Sequence, residues 1–136
     1  MSNLDVDEYV SRLAATCAGV VYVWLIGSRA NGTERPDSDW DFLVFGNDGT
    51  LDCLAQAGEL YREDVDCFVV NHGDAFANAW GARAKSGSLT SWEWKPISSV
   101  EAQYTEAKPM GNGDNFNVVR KQRNGKLLWS AMGYAI

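Results

Sequence analysis

The sequence predicts an α+β fold within one domain, and three observations carry that expectation. Three short apolar runs at residues 20–26, 40–45 and 65–70 have strand length and a β-branched, aromatic make-up. Segments with helical spacing of apolar residues precede and separate them. The last third of the chain is rich in strand-like patterning. At 136 residues the chain can bury one core but not two. The expected division is a core region over 1–87 and a β-rich extension over 88–136.

Val6, Tyr9, Val10, Leu13, Ala14 and Cys17 follow helical spacing, with Asn3 or Asp5 as N-cap and Gly19 as a stop. Residues 20–26 lack polar alternation and read as a strand buried on both faces, ended by Gly27. The segment to Ser38 contains Asn31-Gly32 and Pro36-Asp37 and reads as a loop before the strand at 40–45. Gly46-Asn47-Asp48-Gly49 is a turn, and Leu51, Leu54, Ala55 and Leu60 predict a short helix ending near Glu63. The third strand follows at 65–70.

Asp74 is the expected cap of a helix running to about Lys85, followed by a break at Ser86-Gly87-Ser88. Residues 89–97 read as a strand in which Trp92 and Trp94 alternate with charged neighbours, whereas 99–108 fit helix and strand equally. Gly111-Asn112-Gly113 predicts a loop. Asn124-Gly125, flanked by strand patterns at 116–123 and 126–129, is the strongest hairpin signal in the chain.

Composition narrows the function. Apolar residues make up 46% and charged residues 22%, as in a soluble globular domain. No apolar run approaches the roughly 18 residues that a membrane span needs, and the acidic start lacks signal-peptide character. The expected location is the cytoplasm. The formal charge of -6 argues against general affinity for nucleic acid, which depends on neutralising phosphates with Lys and Arg. Cys17, Cys53 and Cys67 are odd in number and sit in apolar contexts, so they read as buried free thiols.

Asp39 and Asp41 carry the chemistry. At i and i+2 on a strand they project to one face. At about 4 Å and an effective dielectric near 20, two such charges repel by roughly 4 kcal/mol, a cost that a cation between them removes. A carboxylate from the third strand would complete a site of hard oxygen ligands suited to magnesium. Asp66, inside that strand, is favoured, with Asp64 as the alternative.

Gly27-Ser28, a loop, Asp39-x-Asp41 entering a strand and then Val65-Asp66 in a later strand resemble the nucleotidyltransferase superfamily that includes DNA polymerase β. The form is nearest to minimal nucleotidyltransferases, whose motif begins G-S-R-A and ends D-S-D-x-D. The resemblance implies a mixed β-sheet flanked by helices, and transfer of a nucleoside monophosphate from a triphosphate such as ATP to an acceptor hydroxyl. It further implies that Gly27, Ser28 and Arg29 bind the nucleotide and that Asp39, Asp41 and Asp66 are catalytic and hold two Mg2+ ions. The acceptor it implies is a protein, such as a cognate toxin modified by an antitoxin. Transfer to a small molecule such as an aminoglycoside is the alternative chemistry, and a non-catalytic module that inhibits a partner is the alternative class.

The remaining polar and aromatic features read more plainly. His72 is expected in a solvated turn, and Arg35 is a weaker phosphate candidate than Arg29. Trp24 and Trp80 read as core, and Trp40 should pack on the face away from the aspartates. Trp92, Trp94 and Tyr104 read as core or edge packing, with base stacking as the functional alternative. Arg120, Lys121, Arg123 and Lys126 are expected around a solvated hairpin tip.

Overall fold

The structure, a computed structural model, describes residues 4–36, 38–80, 86–110 and 117–131. It begins with helix α1, Val6–Thr16, capped by the Asp5 side chain, which accepts from the Glu8 N–H. Its apolar stripe of Tyr9, Val10 and Leu13 is buried, as the spacing predicts. Strand β1, Val20–Ile26, follows, then a single helical turn α2, Ser28–Asn31, where the sequence predicted loop. Strand β2 is Trp40–Gly46, helix α3 is Thr50–Gln56 with a 3-10 turn at Gly58–Leu60, and strand β3 is Val65–His72.

Strands β4, Ala75–Asn78, and β5, Ser86–Ser88, lead to helix α4, Leu89–Trp92. Strands β6, Lys95–Pro96, β7, Glu101–Met110, and β8, Asn117–Ser130, follow. Among the described residues these strands form one mixed sheet in the order β5-β4-β3-β2-β1-β8-β7-β6. Strands β2 and β3 are parallel and the other neighbours antiparallel. The crossover α3 lies between the two parallel strands, as such a connection requires.

The sheet has two differently covered faces. On one, α1, α3 and the 3-10 turn pack Leu13, Leu54 and Leu60 against Val23, Phe42, Val44 and Val69. On the other, Trp24, Leu43, Phe68, Phe76 and Tyr104 form an aromatic cluster, with Trp92 of α4 and Trp94 packed against it. Trp24 and Trp80 are buried as expected. Among the described residues no helix is long and apolar enough to cross a membrane.

Several expectations are overturned. Asp74 caps no helix over the described residues that follow it. Ala75–Asn78 is strand paired with β3, and the rest of that predicted helix, 81–85, lies outside the described residues. Residues 89–92 are helical because Ser88 caps them, its hydroxyl accepting from the Ser91 N–H, while Asp74 accepts from the Thr90 N–H and hydroxyl. Both Thr90 contacts hold the Asp74 carboxyl below its usual range. His72 ends β3 rather than standing in a turn.

The Asn124-Gly125 hairpin does not exist: β8 runs through it, pairing with β7 from Asn117 to Lys126 and with β1 from Lys126 to Ser130. A Cβ on Gly125 would lie 3.2 Å from Trp94 and 3.5 Å from Ile26, so glycine serves close packing here and not a turn. Arg120, Lys121, Arg123 and Lys126 therefore lie within a strand. The ambiguous residues 101–108 are strand, whereas the Gly111-Asn112-Gly113 loop lies outside the described residues.

The free-thiol expectation fails for two cysteines. Cys17, at the end of α1, and Cys53, in α3, form a disulfide across a separation of 36 residues. The two helices pack on the same sheet face, which brings together thiols that nothing in their spacing connects. Cys67 is free and buried, and burial, then the neighbouring Asp66 carboxylate, pushes its thiol up to about 12.

Candidate active site

The site forms where β1 ends and β2 and β3 begin. Antiparallel pairing sets Ile26 opposite Asp41, and parallel pairing sets Asp41 opposite Asp66. Neighbours in register share a face, so both carboxylates stand at the margin of the aromatic face and both are half-buried. Asp39 lies two residues ahead of Asp41, exposed before the strand begins. Among the described residues no three His, Cys, Asp or Glu side chains are gathered closely enough to hold a metal ion. Asp41 and Asp66 are two hard oxygen donors in register, whereas Asp39 stands apart from them ahead of the strand.

Asp64 is placed differently. It precedes β3 and forms a two-pronged ion pair with Arg62, Nε to Oδ1 at 2.8 Å and the terminal nitrogen to Oδ2 at 2.9 Å. That hydrogen-bonded pairing, against a smaller opposing effect of burial, holds its carboxyl below the usual range. Its main-chain carbonyl accepts from the Trp40 N–H at 2.7 Å, locking the start of β2 to the start of β3. Asp66 instead accepts from Asn78 Nδ2 at 3.1 Å, and Asn78 is itself oriented by the Trp80 N–H on its Oδ1 at 3.0 Å. Asp66 is thus the carboxylate brought beside Asp41. Asn78 is a supporting residue that no local sequence signal marks, because it lies in β4, where the sequence predicts a helix.

Gly27 connects the carboxylates to the turn after β1. Its backbone, at φ 77° and ψ -160°, adopts a conformation open to glycine and strained for other residues. A Cβ there would fall 2.3 Å from Asp41 Oδ2, so the glycine allows main chain to lie directly against the carboxylate. The Gly27 N–H donates to the Tyr104 hydroxyl at 2.8 Å, and its carbonyl accepts from Asn31 Nδ2 at 2.7 Å. Ser28 follows, half-buried, at the first position of α2.

Arg29 turns to the opposite face. Its guanidinium lies 4.1 Å from the Trp40 ring centroid and donates to the Ser38 carbonyl from Nε at 3.1 Å and from the terminal nitrogen at 2.9 Å. The residues on either side of Asp39 are therefore both held by Arg29. Trp40 packs on the helix-covered face, away from Asp41, as alternation predicts. Arg35 is exposed, its N–H donating to the Ser38 hydroxyl at 2.8 Å. Trp92, Trp94 and Tyr104 belong to the aromatic packing, with Tyr104 stacked on Trp92 at 5.1 Å and on Trp94 at 6.0 Å.

The family model described as polymerase beta, nucleotidyltransferase matches residues 8–78, from α1 through β4. The solved structure of a candidate nucleotidyltransferase from Sulfolobus solfataricus is similar at 25% identity and a TM-score of 0.42, covering 50% of this chain and 65% of that one. No curated protein matches.

Proposed function

Because the chain belongs to the polymerase beta nucleotidyltransferase family, we propose that it transfers AMP from ATP, with magnesium, to a hydroxyl on an acceptor protein. The single observation that carries this reading is the in-register placement of Asp41 and Asp66, with the Gly27 main chain against Asp41. Two carboxylates in adjacent strands are costly together unless a cation is shared between them. In this reading Asp39, Asp41 and Asp66 hold the metal, and Ser28 bonds a phosphate oxygen of the triphosphate. Magnesium bound there supplies charge stabilisation at the phosphoryl oxygens and a more acidic acceptor hydroxyl.

Asp66 takes the proton of the acceptor hydroxyl. The hydroxyl oxygen then attacks the α-phosphorus, the bond from that phosphorus to the bridging oxygen breaks, and pyrophosphate leaves. Asn78 keeps the Asp66 carboxylate in one orientation through Oδ1. Arg29 acts as a positioning residue, since contact with phosphate would require it to leave both Trp40 and the Ser38 carbonyl. The acidic chain, with its net charge of -6, supports a protein acceptor, and in this reading the protein is an antitoxin-like enzyme that modifies a partner.

The test is incubation of the protein with each α-labelled nucleoside triphosphate and magnesium in a lysate of the source organism. Label from ATP is expected on a protein band and is expected to vanish with a chelator. Asp41→Asn and Asp66→Asn should each reduce labelling about a hundred- to a thousandfold, the scale of losing one electrostatic stabiliser in an active site, without loss of fold by circular dichroism. Undiminished labelling by the double variant would overturn the reading.

A further inference from the structure

The β-rich extension reaches Gly27 by one direct hydrogen bond, with Tyr104, and by one relayed through Asn31 of α2 from Asn124. We propose that the β7–β8 ribbon fixes the Gly27-Ser28 turn for triphosphate binding by gripping both main-chain groups of Gly27. Tyr104 holds its N–H, and Asn31, anchored on Asn124, holds its carbonyl. This rests on the nucleotidyl-transfer reading and assigns the extension a part in nucleotide affinity.

The first grip is rigid because its ring cannot move freely. Tyr104 is 5% exposed and stacks nearly parallel to Trp92, at 24°, and to Trp94, at 29°. The aromatic cluster therefore sets where the hydroxyl stands, 2.8 Å from the Gly27 nitrogen and 77 residues away in sequence. The second grip is a relay. Asn31 Oδ1 accepts from the Asn124 N–H at 2.7 Å, and Asn31 Nδ2 donates both to the Asn124 carbonyl, at 3.1 Å, and to the Gly27 carbonyl. One side chain thus joins α2 to β8 and returns to the turn that α2 follows.

The consequence follows from Gly27's own conformation. At φ 77° it is the most freely rotating link between β1 and Ser28, and it is also in contact with Asp41. Rotation there would move Ser28 and disturb the carboxylate together. The Tyr104 bond from across the sheet and the Asn31 bond anchored on Asn124 add to the Ala30 N–H bond within the turn and restrict that freedom before substrate arrives, which is how preorganisation raises affinity. Tyr104 and Asn31 are positioning residues: they act through Gly27 and need not touch the nucleotide.

Tyr104→Phe removes only the hydroxyl and keeps the stacked ring. Asn31→Asp keeps the acceptor for the Asn124 N–H but loses both donations. Each should raise KM for the preferred nucleoside triphosphate about five- to tenfold, as expected for losing the one hydrogen bond each variant removes from Gly27, with a smaller change in kcat. Each should also accelerate exchange of the Gly27 amide proton, read by nuclear magnetic resonance, a signal that general loss of stability would spread over the whole sheet. Gln122→Ala, which breaks an exposed 3.0 Å contact with Gln103 on the same ribbon, should change neither. Wild-type protein that binds no triphosphate in the presence of magnesium overturns the transfer reading and the role given to the grips with it. Wild-type protein that does bind, with KM and Gly27 exchange unaltered in both variants, overturns this proposal alone.

Discussion

The two faces of the sheet are built from different materials. Under α1 and α3 the contacts are mainly aliphatic, and that face is fastened by covalent and buried polar links. Cys17 bonds to Cys53, Trp80 Nε1 donates to the Leu54 carbonyl at 2.7 Å, and the Tyr9 hydroxyl donates to the Leu60 carbonyl. Burial pushes the Tyr9 phenol well above its ordinary value, so it stays a donor at any physiological pH. The opposite face is aromatic, less completely covered, and gives way at one end to Asp41 and Asp66. One face stores stability and the other presents chemistry, which predicts that damage to each should be read by a different measurement.

The disulfide gives the largest expected effect. Closing a loop of this length contributes about 3 to 4 kcal/mol on the chain-entropy account. Reduction, or Cys53→Ser, should lower the denaturation midpoint accordingly and leave nucleotide transfer per folded molecule unchanged. A loss of transfer with an intact fold would break the division between the faces. It would show that α3, which leads into β3, conveys strain to Asp66.

Leu13→Ala comes next. Leu13 is fully buried against the sheet, and its truncation should cost about 3 kcal/mol in lost transfer energy and cavity. Trp92→Ala, on the half-exposed aromatic side, should cost less stability despite removing a larger side chain. It should weaken nucleotide affinity by loosening the stack that fixes Tyr104. Chemical denaturation and KM measured on both variants test this. Equal losses in both readouts would merge the two faces into one cooperative core.

The parts of the molecule that were legible in the sequence are those whose signal is local. Residues 20–26, 40–45 and 65–70 are strands because their apolar, β-branched runs permit little else, and α1 follows from its spacing and its Asp5 cap. The pairing of Asp41 with Asp66 was accessible because both sit at the second position of strands that lie side by side. What stayed hidden depends on partners far along the chain. Gly125 imitates a turn residue but exists to admit Trp94, Asp74 imitates a helix cap but binds Thr90, and Tyr104 meets Gly27 only once β8 lies beside β1. The Cys17–Cys53 bond is of the same kind, since two helices on one face bring the sulfurs together.

The smallest effect separates two carboxylates that are two residues apart. Asp64 is ion-paired with Arg62, and Asp66 accepts from the neutral amide of Asn78. The proposed function therefore assigns Asp64 to stability and Asp66 to chemistry. The Asp64 carboxyl is lowered in the folded state, chiefly by its hydrogen bonds to Arg62, so the stabilisation is complete above the unfolded value and is lost as pH falls through the folded one. The side chains are 31% and 39% exposed, and solvent screening limits the pair to roughly a few tenths of a kcal/mol. Arg62→Ala should show that small deficit by chemical denaturation at pH 7, should converge with wild type in acid or high salt, and should leave transfer unchanged. A marked loss of transfer would instead make Asp64 part of the site and redraw the boundary between the two faces at the start of β3.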